Sequence, residues 1–516
     1  YNYRKDPHQD IDHVFRDLLP AHGMVERPAQ VELSHQMLDT MLNGSIALCD
    51  AGTGIGKTYA YLVAGVVFRR YRSRAGLPNQ PLLISTSSIA LQGAIIHDYL
   101  PFLSKVMMAD GMLDSPLRAV LRKGKSHYVC DARLMKRLQT ANLDRKNPLA
   151  KAALLSMRDH LDLDMAPHLS GYDRERICVP PTCDCGKTEC RYLCYLDVCA
   201  SERYAIQVCN HNLLLADAIH RGSGKRSILP DSCAIVMDEA HKLPETARQM
   251  FGITLAAGEL HTLCRKLRRE QFLLAAETLE DTAGLLLSEM AKPWSGDSSF
   301  SHFSIPLDGV ERTLSVIHRQ IRRMLTAGTR MELERVLDKT KLFCLHQPDM
   351  VYYTAEDETG GSMLCASATD LTAQLRQTLW QQDRPMILAS GTLAVGSNFR
   401  RFKEETGLLA EGRVREHIAP SPFDYQRNCL LYLPQIPPSQ ADSDYYDDLA
   451  EQIVKLLDAA NGHALGLFTS YAAMSAVRER LKQRDLPYPV LTLGRNGGHT
   501  MSEFMAHPGS VLLAAG

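Results

Sequence analysis

The chain has 516 residues, of which 45% are hydrophobic and 23% are charged, and its formal net charge at pH 7 is -1. This length allows about three or four domains, each with an apolar core of its own. The net charge does not by itself indicate a nucleic-acid partner, and because no run of about 18 apolar residues occurs, no membrane span is expected.

The first informative segment is glycine-rich and lies between a predicted strand, Ser45 to Cys49, and a predicted apolar helix, Tyr59 to Phe68. This arrangement is typical of a phosphate-binding loop, in which backbone N–H groups and the helix N-terminus bind phosphate oxygens. Lys57 is predicted to reach the β- and γ-phosphates, and the Thr58 hydroxyl is predicted to hold Mg²⁺. The candidate nucleotide-binding residues are Ala51, Gly52, Thr53, Gly54, Ile55, Gly56, Lys57 and Thr58.

Cysteines concentrate in the next part of the chain, where seven of the 14 lie between residues 130 and 199. They are Cys130, Cys178, Cys183, Cys185, Cys190, Cys194 and Cys199. Closely spaced thiolates in a loop-rich segment can converge on one centre, and four of them satisfy a [4Fe–4S] cluster. A four-cysteine zinc site and unliganded thiols are the alternatives.

A second buried-strand pattern, residues 233–237, ends in the carboxylates Asp238 and Glu239, which Ala240 and His241 follow. An acidic pair alone is more often a solvated strand end. In a parallel sheet, however, the strand ends share one edge with the phosphate loop. One carboxylate for the metal ion and one to orient water is what γ-phosphate hydrolysis needs, so the two segments together predict a nucleotide triphosphatase.

The rest of the chain alternates between helical and extended patterns. Apolar residues recur at three- and four-residue spacing between about Thr246 and Leu345, which predicts helices. A hairpin is predicted from Met350 to Thr354 and from Ser362 to Ala366, with Gly360-Gly361 at its turn. Further predicted strands are Met386 to Ala389, Ala464 to Phe468 and Val511 to Ala515. We therefore expect an α/β protein with parallel sheets.

The loop at residues 51–58 and the Asp-Glu-Ala-His box at residues 238–241 resemble those of superfamily 2 helicases. Other segments resemble further motifs of that group: the adenine-reading Arg27 and Gln30, the DNA-backbone motif at residues 84–92, the re-entry segment at residues 209–214, the coupling motif Ser390-Gly391-Thr392 and the segment Ser421-Pro422-Phe423. The cysteine-rich insertion narrows the resemblance to the iron–sulfur helicases of the XPD and DinG group. By that match the cluster ligands are Cys130, Cys185, Cys190 and Cys194, with Cys183 as an alternative to Cys185.

The resemblance implies two RecA-like motor domains with an iron–sulfur insertion and a helical Arch insertion in the first. The expected divisions are residues 1–120, 206–248 and 369–395 for motor domain 1, 121–205 for the iron–sulfur domain, 249–368 for the Arch and 396–516 for an incomplete motor domain 2. The family's Gln-x-x-Gly-Arg motif, which supplies an arginine finger, does not occur in these residues. We expect that the natural protein continues past Gly516 or that this form is a poor ATPase.

The function implied is a DNA helicase that uses ATP and Mg²⁺, with Lys57, Asp238, Glu239 and His241 as its catalytic residues. It moves along single-stranded DNA in the 5′ to 3′ direction as a monomeric motor and opens forks, DNA–RNA hybrids or displacement loops during DNA repair or replication. An ATP-gated nucleic-acid clamp and a CRISPR-associated relative are the alternatives. Such a motor belongs in a reducing compartment, so we expect a cytoplasmic protein without disulfides.

Residues 122–137, which surround Cys130, form a basic stretch. It contains one acidic residue, Asp131, and six lysines or arginines: Arg122, Lys123, Lys125, Arg133, Lys136 and Arg137. A short charge run is often a solvated face, but its position beside a predicted cluster ligand favours contact with DNA phosphates. We therefore expect Lys123 and Lys125 to bind the DNA backbone through charge.

Overall fold

The computed structural model describes residues 6–140, 148–180, 190–290, 307–345, 347–356, 362–435, 444–493 and 498–515. The chain divides into two compact units, Tyr1–Pro422 and Phe423–Gly516.

The strands of the described residues are β1 (Ile46–Ala51), β2 (Leu82–Thr86), β3 (Ala119–Leu121), β4 (Ile206–Cys209), β5 (Ala234–Asp238), β6 (Ile253–Ala256), β7 (Met350–Glu356), β8 (Ser362–Ala368), β9 (Met386–Ser390), β10 (Val414–Ala419), β11 (Ala464–Phe468), β12 (Val490–Thr492) and β13 (Val511–Ala515).

The α-helices are α1 (Pro7–Asp12), α2 (Leu19–Ala21), α3 (Pro28–Leu42), α4 (Lys57–Arg74), α5 (Ile89–Ala94), α6 (Leu100–Ala109), α7 (Asp131–Thr140), α8 (Pro148–Ser156), α9 (Gly171–Ile177), α10 (Arg191–Cys199), α11 (His211–Gly222), α12 (Leu243–Phe251), α13 (Ala257–Arg269), α14 (Leu273–Met290), α15 (Leu307–Ile321), α16 (Ala327–Cys344), α17 (Thr372–Leu375), α18 (Arg400–Thr406), α19 (Tyr425–Asn428), α20 (Tyr445–Ala460), α21 (Tyr471–Lys482) and α22 (Gly498–Ala506). Shorter π- or 3₁₀-helical segments are His13–Leu18, Ile95–Tyr99, Lys125–His127, Leu163–Met165, Ala240–Lys242 and Arg376–Trp380.

A parallel sheet forms the centre of the first unit. In the described residues it has the strand order β10-β1-β9-β5-β2-β4-β3. Its inner strands are continuous apolar runs because both faces are covered: alternate residues of β1, such as Ala47 and Leu48, belong to two different apolar cores. The predicted α/β class is confirmed, and the predicted strands around residues 46, 84, 235 and 387 are all members of this sheet.

The cysteine-rich insertion between β3 and β4 has a small core of its own. Buried residues from three of its helices and their connections form that core: Val129, Leu134, Leu154, Met157, Leu163 and Ile177. An ion pair between Asp131 and Arg191 joins the start of α7 to the start of α10, and Arg191 also donates to the carbonyl oxygens of Met157 and Arg158. The ends of the insertion are therefore held together by both apolar and ionic contacts.

At least four of the six side chains of the basic stretch form hydrogen bonds or ion pairs within the protein. Arg122 is buried and donates to Gln207 and to the Ile228 carbonyl oxygen. The Lys123 Nζ atom lies 2.6 Å from Asp162 and 2.7 Å from Asp164, and Arg137 lies 2.6 Å from Asp173. The sequence showed six cations against one acid, but distant carboxylates in the same chain pair with two of them, Lys123 and Arg137. Lys123 therefore forms ion pairs within the chain, and contact of Lys123 and Lys125 with DNA phosphates stays a prediction.

The predicted helical interval forms a second layered body within the first unit. Helices α13 to α16 pack with the antiparallel sheet β6-β8-β7 around one apolar core. The leucines and isoleucines that gave the helical spacing, such as Leu263, Leu314 and Ile317, are buried in that core. The predicted hairpin is present as β7 and β8, and its Gly360-Gly361 turn lies outside the described residues.

Strand β10 adds an edge to the first sheet by pairing with β1, although the sequence placed residues after 395 in the second motor domain. The second unit contains the parallel strands β11, β13 and β12, in that order among its described residues. Its core includes Leu457, Val477 and Val511. The division into functional motor domains stays a prediction. Among the described residues, no helix combines the length and apolar character that crossing a membrane requires.

Replacing Lys123 by Met should lower the free energy of unfolding by about 1–2 kcal/mol, because Asp162 and Asp164 lose their shared cation. Partial burial opposes ionisation of Asp164, but hydrogen bonds from Lys123 and Arg174 lower the pKa of Asp164 overall. This stabilisation is fully present above the ordinary carboxyl pKa of about 4, decreases below it, and is lost only as pH falls through the lowered pKa of folded Asp164. Urea unfolding at pH 7 and pH 2 measures the effect, with the exposed Lys151→Met as control. Equal loss at both pH values would contradict the ion-pair explanation.

Candidate nucleotide-binding and catalytic site

The phosphate loop connects β1 to α4, as the sequence predicts. Gly54 and Gly56 have φ angles of 86° and 88°, which residues with a Cβ atom rarely adopt. The Lys57 Nζ atom donates to the Ala51 carbonyl oxygen at 3.2 Å, so its ammonium group lies over the loop. The free N–H groups at the start of α4 and this ammonium group form an anion-binding surface.

Arg27 and Gln30 both contact the loop from the start of α3. Arg27 Nη1 donates to the Gly54 carbonyl oxygen and Gln30 Nε2 donates to that of Gly56, each at 2.7 Å. The φ angle of 88° at Gly56 favours glycine there, and a Cβ atom would lie 2.2 Å from Gln30 Nε2, so it would also displace the end of that side chain. The structure thus brings the predicted adenine-reading residues to the loop, where they also fix its backbone.

A cavity of about 420 Å³ opens beside these two side chains. Its lining includes Gly56 and Thr58 of the loop together with Met24, Tyr59 and Tyr99. The rings of Tyr59 and Tyr99 meet edge to face with centroids 5.1 Å apart. A cavity that combines aromatic rings with polar side chains next to a phosphate-binding loop has the size and chemistry to take a nucleobase. Sequence reasoning missed both tyrosines; only the position of Tyr59 directly after Thr58 gave a signal.

Asp238 lies at the carboxyl end of β5 and is 2% exposed. Its Oδ2 atom accepts a hydrogen bond from Tyr61 at 3.2 Å, and the same tyrosine hydroxyl contacts Thr58. Burial raises the pKa of Asp238, the Lys57 charge opposes this, and Glu239 adds to it. The Tyr61 hydroxyl therefore links Thr58 to Asp238, and a hydroxyl with a carboxylate is a donor set that fits Mg²⁺.

Glu239 has a φ angle of 56°, a left-handed conformation that is costly for a residue with a side chain. Its Oε2 atom lies 3.3 Å from His241 Nδ1. The same nitrogen lies 2.8 Å from the Ser390 hydroxyl at the end of β9. The structure therefore joins the Asp-Glu-Ala-His box to the Ser-Gly-Thr motif across 149 residues of sequence.

The Ser-Gly-Thr motif also lies against the phosphate loop. A Cβ atom on Gly391 would be 3.4 Å from the Ala51 carbonyl oxygen and 3.7 Å from Lys57 Nζ, which are ordinary contact distances. An alanine would therefore fit at residue 391. Beyond the motif, the Ala394 N–H donates to Asp50 at 2.6 Å and ties this segment to β1.

His211 is a buried residue that the sequence did not place in the site. It follows β4, and its Nδ1 atom lies 2.7 Å from the hydroxyl of Ser85, which belongs to the predicted DNA-backbone motif. Burial lowers the pKa of His211 to about 4, so the ring is neutral at pH 7. The only sequence signal was its place in the re-entry segment.

Three of the four predicted cluster ligands lie among the described residues. Cys190 and Cys194 are one helical turn apart at the start of α10, since the Cys194 N–H donates to the Cys190 carbonyl oxygen. Cys130, which directly precedes α7, belongs to a small apolar cluster that includes Tyr192 of α10. These thiols are suitable soft donors for iron or zinc. In the described ranges, however, no three candidate ligands are grouped closely enough to hold a metal ion, and Cys183 and Cys185 lie outside those ranges.

Replacing Tyr99 by Ala should weaken nucleotide binding about three- to tenfold, because an aromatic contact is worth about 0.5–1.5 kcal/mol. Tyr99→Phe should retain most of the affinity, since the ring makes the contact. Titration with a fluorescent adenine nucleotide measures this, and Tyr71→Ala, an exposed tyrosine on α4 outside the cavity, is the control. If Tyr99→Ala binds like the unaltered protein, the base does not enter this cavity.

The chain is similar to several curated helicases, although no protein-family model matches it. It is 25% identical to "ATP-dependent DNA helicase YoaA" of Haemophilus influenzae over 532 residues, covering 95% of this chain and 78% of that protein. It is 24% identical to the YoaA helicase of Escherichia coli, covering 95% and 79%. For "ATP-dependent helicase DinG" of Mycobacterium tuberculosis the identity is 25%, with coverage of 94% and 77%.

Among solved structures, the chain resembles "Structure of S. tokodaii Xpd4" with a TM-score of 0.52 and 15% identity, covering 95% of this chain and 80% of that one. At this identity the likeness concerns the fold. The chain is therefore similar to curated helicases named YoaA and DinG along nearly all of its length, and its fold resembles that of an Xpd4 protein.

Proposed function

We propose that the protein is an ATP-dependent DNA helicase of the DinG/XPD type. The observation that carries this proposal is the meeting of three motifs at one edge of the first sheet. The phosphate loop follows β1, Ser390 ends β9 and Asp238 ends β5, and these three strands are neighbours. A direct contact between His241 and Ser390 then links the hydrolytic residues to the predicted coupling motif.

In this proposal each residue has a role that its position supports. Lys57 binds the β- and γ-phosphates, while Thr58 and Asp238 hold the Mg²⁺ ion. Bound Mg²⁺ neutralises the charge that develops on the phosphates. Glu239 orients the attacking water. His241 contacts both the Glu239 carboxylate and the Ser390 hydroxyl and so fixes their relative positions. Arg27, Gln30 and the two cavity tyrosines bind the adenosine part of ATP.

The DNA substrate is single-stranded, and we propose 5′ to 3′ movement by a monomeric motor that opens forks, DNA–RNA hybrids or displacement loops. The relatives support DNA as the substrate because their names describe DNA helicases. Ser85 and Thr86 of the DNA-backbone motif lie on β2, which pairs with β5, the strand that ends in Asp238, and this pairing supports a link between that motif and the hydrolytic residues. Polar contact with phosphates, without reading of bases, suits a motor that must accept any sequence.

We also propose that Cys130, Cys190, Cys194 and either Cys185 or Cys183 hold a [4Fe–4S] cluster, with a zinc ion as the alternative. The one-turn spacing of Cys190 and Cys194 and the small cluster in which Cys130 packs with Tyr192 of α10 support this ligand set. Because the three described thiols are not grouped closely enough to hold a metal ion, the proposal requires them to approach one another when the cluster binds. A bound cluster would cross-link the two ends of the insertion and so contribute folding free energy. The Asp131–Arg191 ion pair already joins the residues that directly follow Cys130 and Cys190.

Lys57→Ala should reduce DNA-stimulated ATP hydrolysis by about 10²–10³-fold, because a charge that stabilises the transition state is lost. Glu239→Gln should retain ATP binding but reduce turnover similarly. Phosphate release by the full-length protein measures turnover, with the exposed Lys105→Ala as control. Unchanged turnover in either site variant would contradict the assigned roles. ATP hydrolysis and DNA binding without strand separation would instead favour the ATP-gated clamp.

Protein purified without oxygen should carry about four irons per chain if the cluster proposal is correct. Cys190→Ser should lose the metal and lower the stability of residues 121–205, whereas Cys429→Ser, at an exposed cysteine of the second unit, should retain it. Elemental analysis and visible absorption report the metal content. One zinc per chain without visible absorption would assign the site to zinc, and a full iron content in Cys190→Ser would exclude this ligand set.

A further inference from the structure

The segment that follows β10 packs directly onto the phosphate loop. The Gly52 N–H donates to the Ala419 carbonyl oxygen at 3.1 Å, and the Ser421 hydroxyl donates to the Thr53 carbonyl oxygen at 2.9 Å. A Cβ atom on Gly52 would lie 2.8 Å from the backbone nitrogen of Ser421. The absence of a side chain at residue 52 therefore allows the two backbones to touch.

This contact stands at the point where the chain leaves the first unit. The first unit ends at Pro422, one residue after Ser421. Pro420 and Pro422 flank the serine, and their rings fix φ near -65°, which limits the motion of the segment between them. A short, stiff segment thus connects the phosphate loop to the start of the second unit.

We propose that Ser421 is a positioning residue that transmits the nucleotide state of the phosphate loop to the connection between the two units. This inference rests on the proposed helicase function. When phosphates enter the loop, Lys57 must exchange its contact with the Ala51 carbonyl oxygen for phosphate oxygens. Any accompanying shift of Gly52 and Thr53 moves Ser421, because a hydrogen bond and a van der Waals contact both join them.

The proposed coupling through Ser421 has a thermodynamic consequence that binding measurements can detect. If nucleotide and DNA sites are coupled, nucleotide changes DNA affinity and DNA changes nucleotide affinity by the same factor. Removing the Ser421 hydroxyl removes one hydrogen bond from the connection. The coupling should then fall by about two- to tenfold, the range that one hydrogen bond is worth.

The test compares Ser421→Ala, Ser421→Thr and the control Ser397→Ala in the full-length protein. Ser397 is an exposed serine of the first unit, and Ser421→Thr retains the hydroxyl. Two ratios are measured: base pairs opened per ATP hydrolysed, and single-stranded DNA affinity with a non-hydrolysable ATP analogue relative to that with ADP. In Ser421→Ala, the number of base pairs opened per ATP should fall about two- to tenfold, and the ratio of the two DNA affinities should move about two- to tenfold towards one. Ser421→Thr and Ser397→Ala should match the unaltered protein.

Three outcomes would overturn the inference. In the first, hydrolysis and unwinding of Ser421→Ala fall in proportion, which indicates a structural role in the loop alone. In the second, both ratios stay unchanged. In the third, Ser421→Thr behaves like Ser421→Ala, which shows that the hydroxyl is not the cause. If the unaltered protein hydrolyses ATP but opens no duplex, the helicase proposal fails, and the ratio of DNA affinities still decides the role of Ser421.

Discussion

The parallel pairing of β1 on both of its sides is the constraint on which the rest of the first unit depends. Because β9 pairs with one edge of β1 and β10 with the other, Asp50 lies opposite Ser390 and Ala51 lies opposite Ala419. The strands are parallel, so all three end at one edge of the sheet. The phosphate loop, which begins there, must fit between two other chain segments. Glycines at residues 52 and 56 are the positions where those segments and Gln30 approach most closely.

The sequence predicted those parts of the fold that depend on local patterns. Apolar runs identified β1, β5 and β9, and the glycine-rich loop with its lysine identified the site, because these signals lie within about ten residues. Two features escaped because they depend on distant partners. Tyr99 meets Tyr59 from a separate helical segment, and β10 joins β1 from more than 360 residues away along the chain. No local sequence pattern identifies the distant partner in either pairing. The position of β10 within the first sheet is therefore seen only in the folded structure.

The basic stretch near Cys130 shows the same limit for electrostatics. A count of charges in a window of sequence treats each cation as available to a ligand. In the folded protein Lys123 and Arg137 lie within 2.7 Å of carboxylates that are more than 35 residues away. Paired cations contribute little field at a distance, because the neighbouring anion cancels it. The sign of a local run therefore predicts a partner only after the ion pairs within the chain have been identified.

The polar contacts at the carboxyl edge of the sheet differ in kind from the apolar packing below it. Ser85 meets His211, His241 meets Ser390, Asp50 meets the Ala394 N–H, and Ser421 meets the Thr53 carbonyl oxygen. A close-packed apolar core resists rearrangement, whereas a hydrogen bond can exchange its partner for a phosphate or a water molecule at small net cost. Changes caused by a bound nucleotide are therefore expected at this edge. The edge also carries the exit from the first unit at Pro422. The layer of hydrogen bonds around residues 51–58 is therefore the layer from which motion of the chain can begin.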